Sequence, residues 1–429
     1  MIKWVIFMIT VVNSGDTLYS ISRQSGIPVS KIIADNGLVS DTLVTGQSLI
    51  LEAAKESITA NSDTSVSDIS LEYSIDIKTL FRNNYILGGK QSIPKGTFIV
   101  LEYENVPDSE KITGGYAYDF ISSERLLSVI NYLTYLIPFT YGFTPYGELI
   151  TPSDAILIET AKNADVDTLM HISTLTPEGT FDSNLPSIIF SDRDSLSRLT
   201  DNIISQVLKT DYDGVDIDFE YLPESQKDNY VMFISQLSDR LHDIGKILVV
   251  AVPPKTSDNQ RGLLVEGIDY GLLGQYADYI MIMAYEYGYK FGPPLAIAPI
   301  NQVTKVLDYA ISKIPNEKIL LGIPNYGYDW ILPYEKGVSD APSISTVEAI
   351  ELAKKYGSEI LFDDTAMAPY FFYTDENQKI HEVWFEDARS FEAKTDLIKQ
   401  YSLAGGFIWD LMRNNPQGFV TINSQIKIE

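Results

Sequence analysis

The run Asp213-Gly214-Val215-Asp216-Ile217-Asp218-Phe219-Glu220 places four acids within eight residues. In a strand, successive side chains alternate faces, so Asp216, Asp218 and Glu220 share one face while Val215, Ile217 and Phe219 take the other. Asp213 is out of this register and caps the start of the strand. Cα atoms two residues apart in a strand are only about 7 Å apart, so the acids must feel one another. Burying them in a row is expensive unless protons are shared. Beside Asp218, Glu220 is expected to hold its proton to unusually high pH, as a general acid requires. Asp218 lies on the same strand and the same side as Glu220, a poor position from which to attack the opposite face of a sugar. The spacing therefore does not offer a two-carboxylate retaining or inverting pair. One good acid without an opposed carboxylate can instead use a substrate's own 2-acetamido oxygen as nucleophile, with Asp218 orienting that amide.

The element that must position these acids is one of eight similar runs after about residue 105: 112–118, 133–142, 167–173, 214–220, 247–254, 279–285, 319–327 and 405–411. They are apolar and rich in β-branched residues. Between them lie stretches with apolar residues at three- and four-residue intervals, so the order is βα repeated. Eight such units predict an α/β fold, a closed (β/α)8 TIM barrel over residues 105–429, with Glu220 at the carboxyl end of its strand where barrels place catalytic groups. The long gap between the seventh and eighth runs predicts a small α+β insertion at about 331–390, with a hairpin in YFFYTDENQKIHEVWFED, walling one side of the mouth.

Composition narrows the partners. Lys and Arg total 32 against 58 Asp and Glu, a formal net charge of -26, and a field of that sign repels nucleic acid and anionic lipid. The chain has no cysteine, which excludes disulfides and thiolate chemistry, and its three histidines, His171, His242 and His381, are too dispersed for a histidine-rich metal centre. No metal, cofactor, membrane span or obligate protein partner is expected. The apolar N-terminus is followed by no small-residue cleavage site, so Val5 to Val12 is read as a first strand rather than a secretory signal.

Before the barrel one module occurs twice. Residues 1–53 read as strand, Gly-Asp turn, two helices and a closing strand, and residues 54–104 repeat this βααβ order. Asp63-Thr64 match Asp16-Thr17, Asn83 or Asn84 falls near Asn36, and Gly96 near Gly46. Both copies resemble LysM domains. That resemblance implies a groove for N-acetylglucosamine-containing glycans, formed in the first copy by Gly15, Asp16 and Thr17 with Asn36, Gly37 and Leu38. The second copy has Ser62 where the turn normally has glycine, and a backbone needing positive φ there would be strained.

The run DGVDIDFE matches the D-x-x-D-x-D-x-E signature of glycoside hydrolase family 18, and the resemblance extends over residues 105–429. It implies Glu220 as acid/base with Asp218 and Asp216 behind it. Tyr285, in the Met283-Ala284-Tyr285-Glu286 element, would hydrogen-bond the acetamido group. Trp409 would form the floor under the cleaved sugar. Met283, Glu286, Tyr116, Tyr118, Phe139 and, through the signature, Asp213 complete the substrate-facing set. AYEYGYKFGPPLAIAP, GIPNYGYDWILPY and HEVWFEDARS resemble the spore cortex-lytic and germination glycosidases, which carry two LysM repeats before the barrel. The implied substrate is spore peptidoglycan, with location at the spore or cell wall and no clear signal peptide. LMRNNPQG stands where that subfamily has Leu-Gly, so the neighbouring subsite is expected to differ while activity is retained. A chitinase and a non-catalytic glycan-binding protein are the competing readings; the latter loses the acid, and Glu220 is present. A Ca²⁺ or Mg²⁺ site is disfavoured because a strand presents its acids in line rather than around an ion.

Overall fold

The computed structural model describes residues 8–429. Eight strands form the barrel: β1 (Glu110–Tyr118), β2 (Tyr135–Phe139), β3 (Asp167–Ser173), β4 (Gly214–Asp218), β5 (Ile247–Val252), β6 (Tyr279–Ile282), β7 (Ile319–Pro324) and β8 (Gly405–Trp409). Each pairs in parallel with the next, and β8 closes on β1 through Gly405–Ile112 to Ile408–Gly115. Helices return the chain after every strand, among them Arg193–Thr210 before β4 and Lys227–His242 after it. The barrel is the expected (β/α)8 architecture, with the insertion between β7 and β8 and two small modules in front.

The alternation on β4 is as the sequence dictates. Val215, Ile217 and Phe219 are buried in the layer between barrel and helices, and the Phe219 ring stacks on Phe233 with centroids 5.8 Å apart. Burying an aromatic of this kind contributes roughly 1.5–3 kcal/mol, and here it fixes the residue immediately before Glu220. The opposite face turns Asp216 into the barrel interior, where Ile137, Leu169, Val249, Met281 and Phe407 pack below. Asp213 lies at the other end of the strand. Its carboxylate accepts a hydrogen bond from the Thr168 backbone N–H at 2.9 Å and faces Lys246 at 3.6 Å. The strand-start reading of Asp213 holds, and its inclusion among substrate-facing residues does not, because that end of the barrel is remote from the mouth.

The chain leaves the barrel earlier than expected, after Pro324, and Gly327–Leu332 already belongs to the insertion. The apolar run continues through two strands of different sheets, so hydrophobicity alone does not mark the break. The insertion is a five-stranded sheet in the order Ser343–Ile344, Gly327–Leu332, Ile380–Trp384, Ala368–Thr374, Leu361–Asp363, with helix Thr346–Tyr356 packed on it. The expected hairpin is the Ala368–Thr374 and Ile380–Trp384 pair.

The strand expected over Val5 to Val12 is seen at Ile9–Val11, and Val5 to Phe7 lie outside the described residues. The first module's helices are Leu18–Ser25 and Val29–Asn36. Asn36 clamps the second helix to the closing strand: its amide donates to the Ile32 and Ile50 carbonyls at 2.9 and 3.0 Å and accepts from the Ile50 N–H at 2.7 Å. Asn84 repeats this in the second module, donating to Leu80 and Val100 and accepting from the Val100 N–H, each at 2.8 Å. The shared asparagine is therefore Asn84 rather than Asn83. Ser62 is not among the residues with positive φ, whereas Gly15 has φ 92°; the second turn avoids the conformation that would have strained it.

The first module is built into the rest of the protein. Val44 joins the insertion's core beside Ala349, Ile350, Ala353 and Phe371, and the Ile360 N–H donates to the Thr45 carbonyl at 2.9 Å. Gly46 is required at this contact, since a Cβ there would lie 1.8 Å from the Ile360 carbonyl oxygen. Gln417, on the last helix, donates to Asn36 and to the Ser48 carbonyl at 3.0 and 2.8 Å. Val44→Ala is therefore expected to lower stability by roughly 1–2 kcal/mol through a cavity in the insertion's core. Thermal unfolding measures it, and an unchanged midpoint would show that the module does not support the insertion.

Candidate active site

At the carboxyl ends of the strands lies a cavity of about 480 Å³ lined by Tyr116, Tyr118, Phe139, Asp218, Glu220, Met283, Tyr285, Glu286 and Trp409. Apart from Asp213 and the interior Asp216, these are all the barrel residues singled out from sequence. His171, Ser173, Thr174, Phe181, Ser183, Tyr221 and Met281 line it as well and were missed. The signal for His171 was present: in DTLMHIS it shares parity with Leu169 and Ser173, and on β3 it pairs directly with Asp216.

The acids are held one behind another. Asp216 is completely buried and its carboxylate accepts a hydrogen bond from the Tyr116 hydroxyl at 2.8 Å. The His171 imidazole stands between Asp216 and Asp218, with Nε2 3.8 Å from one carboxylate and 3.7 Å from the other, and its Nδ1 is 2.6 Å from the Thr140 hydroxyl. Burial pushes Asp216 up to about 6; the imidazole and the Tyr116 hydroxyl pull against that rise and Asp218 adds to it. Glu220 is pushed further, to about 8, by burial first and then by the charges of Asp218 and Glu286. At neutral pH Glu220 thus carries a proton it can donate.

Tyr285 is supplied by the exit of β6. A side chain at Gly322 on the neighbouring strand would bring its Cβ to 2.6 Å from the Tyr285 ring, so the glycine there makes room for the phenol. Burial, reinforced by Asp218 and Glu220, holds the Tyr285 hydroxyl well above its ordinary pKa, which keeps it a hydrogen-bond donor. The residues just after each functional side chain, Tyr221 and Glu286, have φ of 58° and 63°, a left-handed backbone that non-glycine residues take up at a cost. Glu286 sits at the open mouth, where one oxygen accepts from both the Tyr326 and Tyr328 hydroxyls; desolvation raises its pKa and the two phenols lower it.

Trp409 closes the floor, in edge contact with Tyr116 and Phe139 at centroid separations of 5.4 and 4.8 Å. Beyond it a second cavity, of about 460 Å³, shares Tyr118, Glu286 and Trp409 with the first and adds Phe120, Tyr326, Tyr328, Ser343, Asp410 and Arg413. The insertion, through Tyr328 and Ser343, does wall one side of the cleft. The arrangement suits a sugar: an apolar ring surface for a pyranose face, a protonated carboxyl above it, and a neutral phenol with a carboxylate at one side.

The model of the glycosyl hydrolases family 18 matches residues 126–414, and the LysM domain model matches residues 10–52. The chain belongs to glycosyl hydrolases family 18. It is a glycoside hydrolase carrying a LysM domain at residues 10–52. The cortical fragment-lytic enzyme of Bacillus anthracis is 34% identical over 430 residues, covering 96% of each chain, and that of Bacillus subtilis is 37% identical over 297 residues, covering 69% of each. The crystal structure of the Bacillus megaterium spore cortex-lytic enzyme SleL superposes with a TM-score of 0.83 at 34% identity, covering 98% of both chains.

In the LysM domain the expected groove is only half present. Asn36 is buried and spent on its clamp, a Cβ on Gly37 would meet Pro416 at 2.8 Å, and Leu38 packs on the module's own core. Asn36 and Gly37 thus face the barrel's last helix, and Asn36 has no free group to offer a glycan. Gly15 and Thr17 remain exposed, Asp16 accepts from the Asn13 N–H at 2.8 Å, and Thr17 caps the first helix. Next to this turn Ser14 and Thr42 to Thr45 face Lys354 and Gly357 to Glu359 of the insertion across a cleft.

If Glu220 must be protonated, kcat/KM falls as pH rises through about 8. Removing the Glu286 charge removes one cause of that elevation, so Glu286→Gln should move the alkaline limb to lower pH. A pH–rate profile of both proteins tests this, and an unmoved or upward-moved limb would contradict the electrostatic account.

Proposed function

We propose that this family 18 hydrolase cleaves spore-cortex peptidoglycan as an N-acetylglucosaminidase, with the substrate's acetamide as nucleophile. The observation that carries the reading is the meeting in one cavity of a protonated Glu220, just beyond the end of β4, with Asp218, the last residue of β4, and Tyr285. Glu220 protonates the glycosidic oxygen. The acetamido carbonyl oxygen attacks the anomeric carbon as the leaving group departs, while Asp218 accepts the amide N–H and the Tyr285 hydroxyl donates to the acetamido oxygen. Water then opens the cyclised intermediate, with Glu220, now deprotonated, taking its proton. The other carboxylate in the cavity, Glu286, has an oxygen occupied by two phenols at the mouth, which leaves the acetamide as the nucleophile in place. Asp216, bonded to Tyr116 and facing His171, supports Asp218 from below.

The cortex substrate is supported by the near full-length likeness to enzymes whose names place them on cortical fragments. The same likeness supports a location at the spore or its wall. The second module, with the same element order and asparagine clamp as the LysM domain, is read as a further LysM. Glycan retention is assigned to the Ser14–Thr17 turn and the cleft beside it.

Glu220→Gln is expected to lower kcat by at least about 10³-fold while leaving glycan binding intact. The decisive digest uses purified cortex fragments, borohydride reduction and mass spectrometry of the new ends. Reduced N-acetylglucosamine supports the assignment; reduced muramic acid would make the enzyme a muramidase, and no new end from cortex would overturn the substrate.

A further inference from the structure

His171 is the one basic side chain among the described residues lining the catalytic cavity, and the steps of hydrolysis above leave it without a task. The ring is buried and held by aromatics from β1 and β2: Tyr116 meets it edge-on with centroids 5.5 Å apart, and Phe139 lies at 4.8 Å. Its two nitrogens face different partners. Nδ1 is 2.6 Å from the Thr140 hydroxyl, whose oxygen also lies 3.0 Å from the Tyr141 carbonyl and 3.0 Å from the Ser173 hydroxyl. Nε2 faces Oδ2 of Asp216 at 3.8 Å and Oδ2 of Asp218 at 3.7 Å. A bare lone pair at Nε2 would oppose two carboxylates, so the proton belongs on Nε2, with Nδ1 accepting from Thr140. Protonation of the ring adds an N–H at Nδ1 and keeps the one at Nε2, because Thr140 can then accept and turn its own proton to Tyr141 or Ser173. The donor that faces the acids survives either charge state.

The acids need that donor. Asp216 receives a hydrogen bond from Tyr116, yet Oδ1 of Asp216 and Oδ1 of Asp218 are both buried without a partner among the described residues. The other ionisable groups facing the pair are Glu220 beyond the end of β4, Tyr116 of β1, Tyr230 of the helix after β4, and Tyr285 at the exit of β6, and none brings positive charge. Burial raises Asp216, and the foremost pull in the other direction comes from His171, ahead of the Tyr116 hydrogen bond. Nε2 stands almost midway between the two carboxylates, and closing by less than about 1 Å completes a hydrogen bond to either.

We propose that His171 is a positioning residue whose single Nε2 proton is shared between Asp216 and Asp218, holding the pair ionised so that Asp218 can accept the substrate's amide N–H. When Asp218 bonds the amide, the Nε2 proton goes over to Asp216, and the charge left behind keeps a partner. This rests on the acetamide reading above.

The test compares wild type with His171→Phe, which keeps a ring and removes both nitrogens, and with His171→Gln, whose amide can present an N–H where Nε2 stood. Each is assayed for kcat and KM across pH, on whichever of soluble cortex fragments or chitooligosaccharides the wild type cleaves. His171→Phe is expected to lower kcat about tenfold with KM changed far less, and to move the acid limb of kcat/KM up by about one pH unit, because the pair takes up a proton sooner without its donor. His171→Gln should recover part of both. An imidazole that only fills space would leave the limb in place, its loss lowering the rate by one factor at every pH, and Gln would do no better than Phe. Nitrogen NMR of the wild-type ring checks the premise even if His171→Phe does not fold: Nε2 should carry a proton at neutral pH, and a bare Nε2 overturns the proposal. Asp218→Asn separates the two levels. If it is crippled while the limb of His171→Phe stays put, this inference alone falls; if it keeps full activity, the acetamide reading falls and this inference with it.

Discussion

Three carboxyl groups at alternate positions along and just beyond one strand, in a barrel mouth walled by aromatic rings, cannot all be ionised without cost. The rest of the cleft is arranged around that constraint. Tyr116 donates to the deepest acid and His171 faces it, and the outermost, Glu220, keeps its proton because it is buried beside the charges of Asp218 and Glu286. The cause is largely desolvation, so the elevated pKa depends on the aromatic lining as much as on neighbouring charge. The same rings that give a pyranose its stacking surface hold the acid in its working form.

That lining is positioned by structure outside the barrel strands. Phe219, stacked on Phe233, fixes the chain one residue before Glu220. Gly322 leaves space for Tyr285, and the insertion brings Tyr326 and Tyr328 onto Glu286. The insertion in turn shares its core with Val44 of the LysM domain, and Gln417 ties that domain to the last barrel helix. LysM domain, insertion and barrel are thus one packed body. Removing residues 1–104 would open the core of the wall that shapes the cleft.

Much of this was legible in the residues. Period-two alternation on β4 gave the interior face correctly, because a strand buried on both sides leaves no other place for three acids. Eight βα units gave the barrel, and aromatics near the strand ends fell in the cleft. What was not legible depends on tertiary pairing. The parity of His171 was readable in DTLMHIS, but its partner Asp216 follows only from the β3–β4 register, and the place of Arg413 only from the cavity the insertion completes. Asn36 was assigned to glycan by the resemblance to LysM domains; in the structure its side chain satisfies the N–H and C=O of Ile50, two backbone groups that need partners once buried. Asp213 belongs to the same signature as Asp216, Asp218 and Glu220 but serves the opposite end of the strand.

The account turns on the substrate's own acetamide being the nucleophile. The most direct measurement is proton NMR of the anomeric signal in the first product formed from a soluble N-acetylglucosaminyl oligosaccharide, recorded before mutarotation. Attack by the acetamide and then by water inverts the carbon twice, so the β configuration is predicted. A first product in the α configuration would mean direct displacement by water, and would contradict the roles assigned to Asp218 and Tyr285.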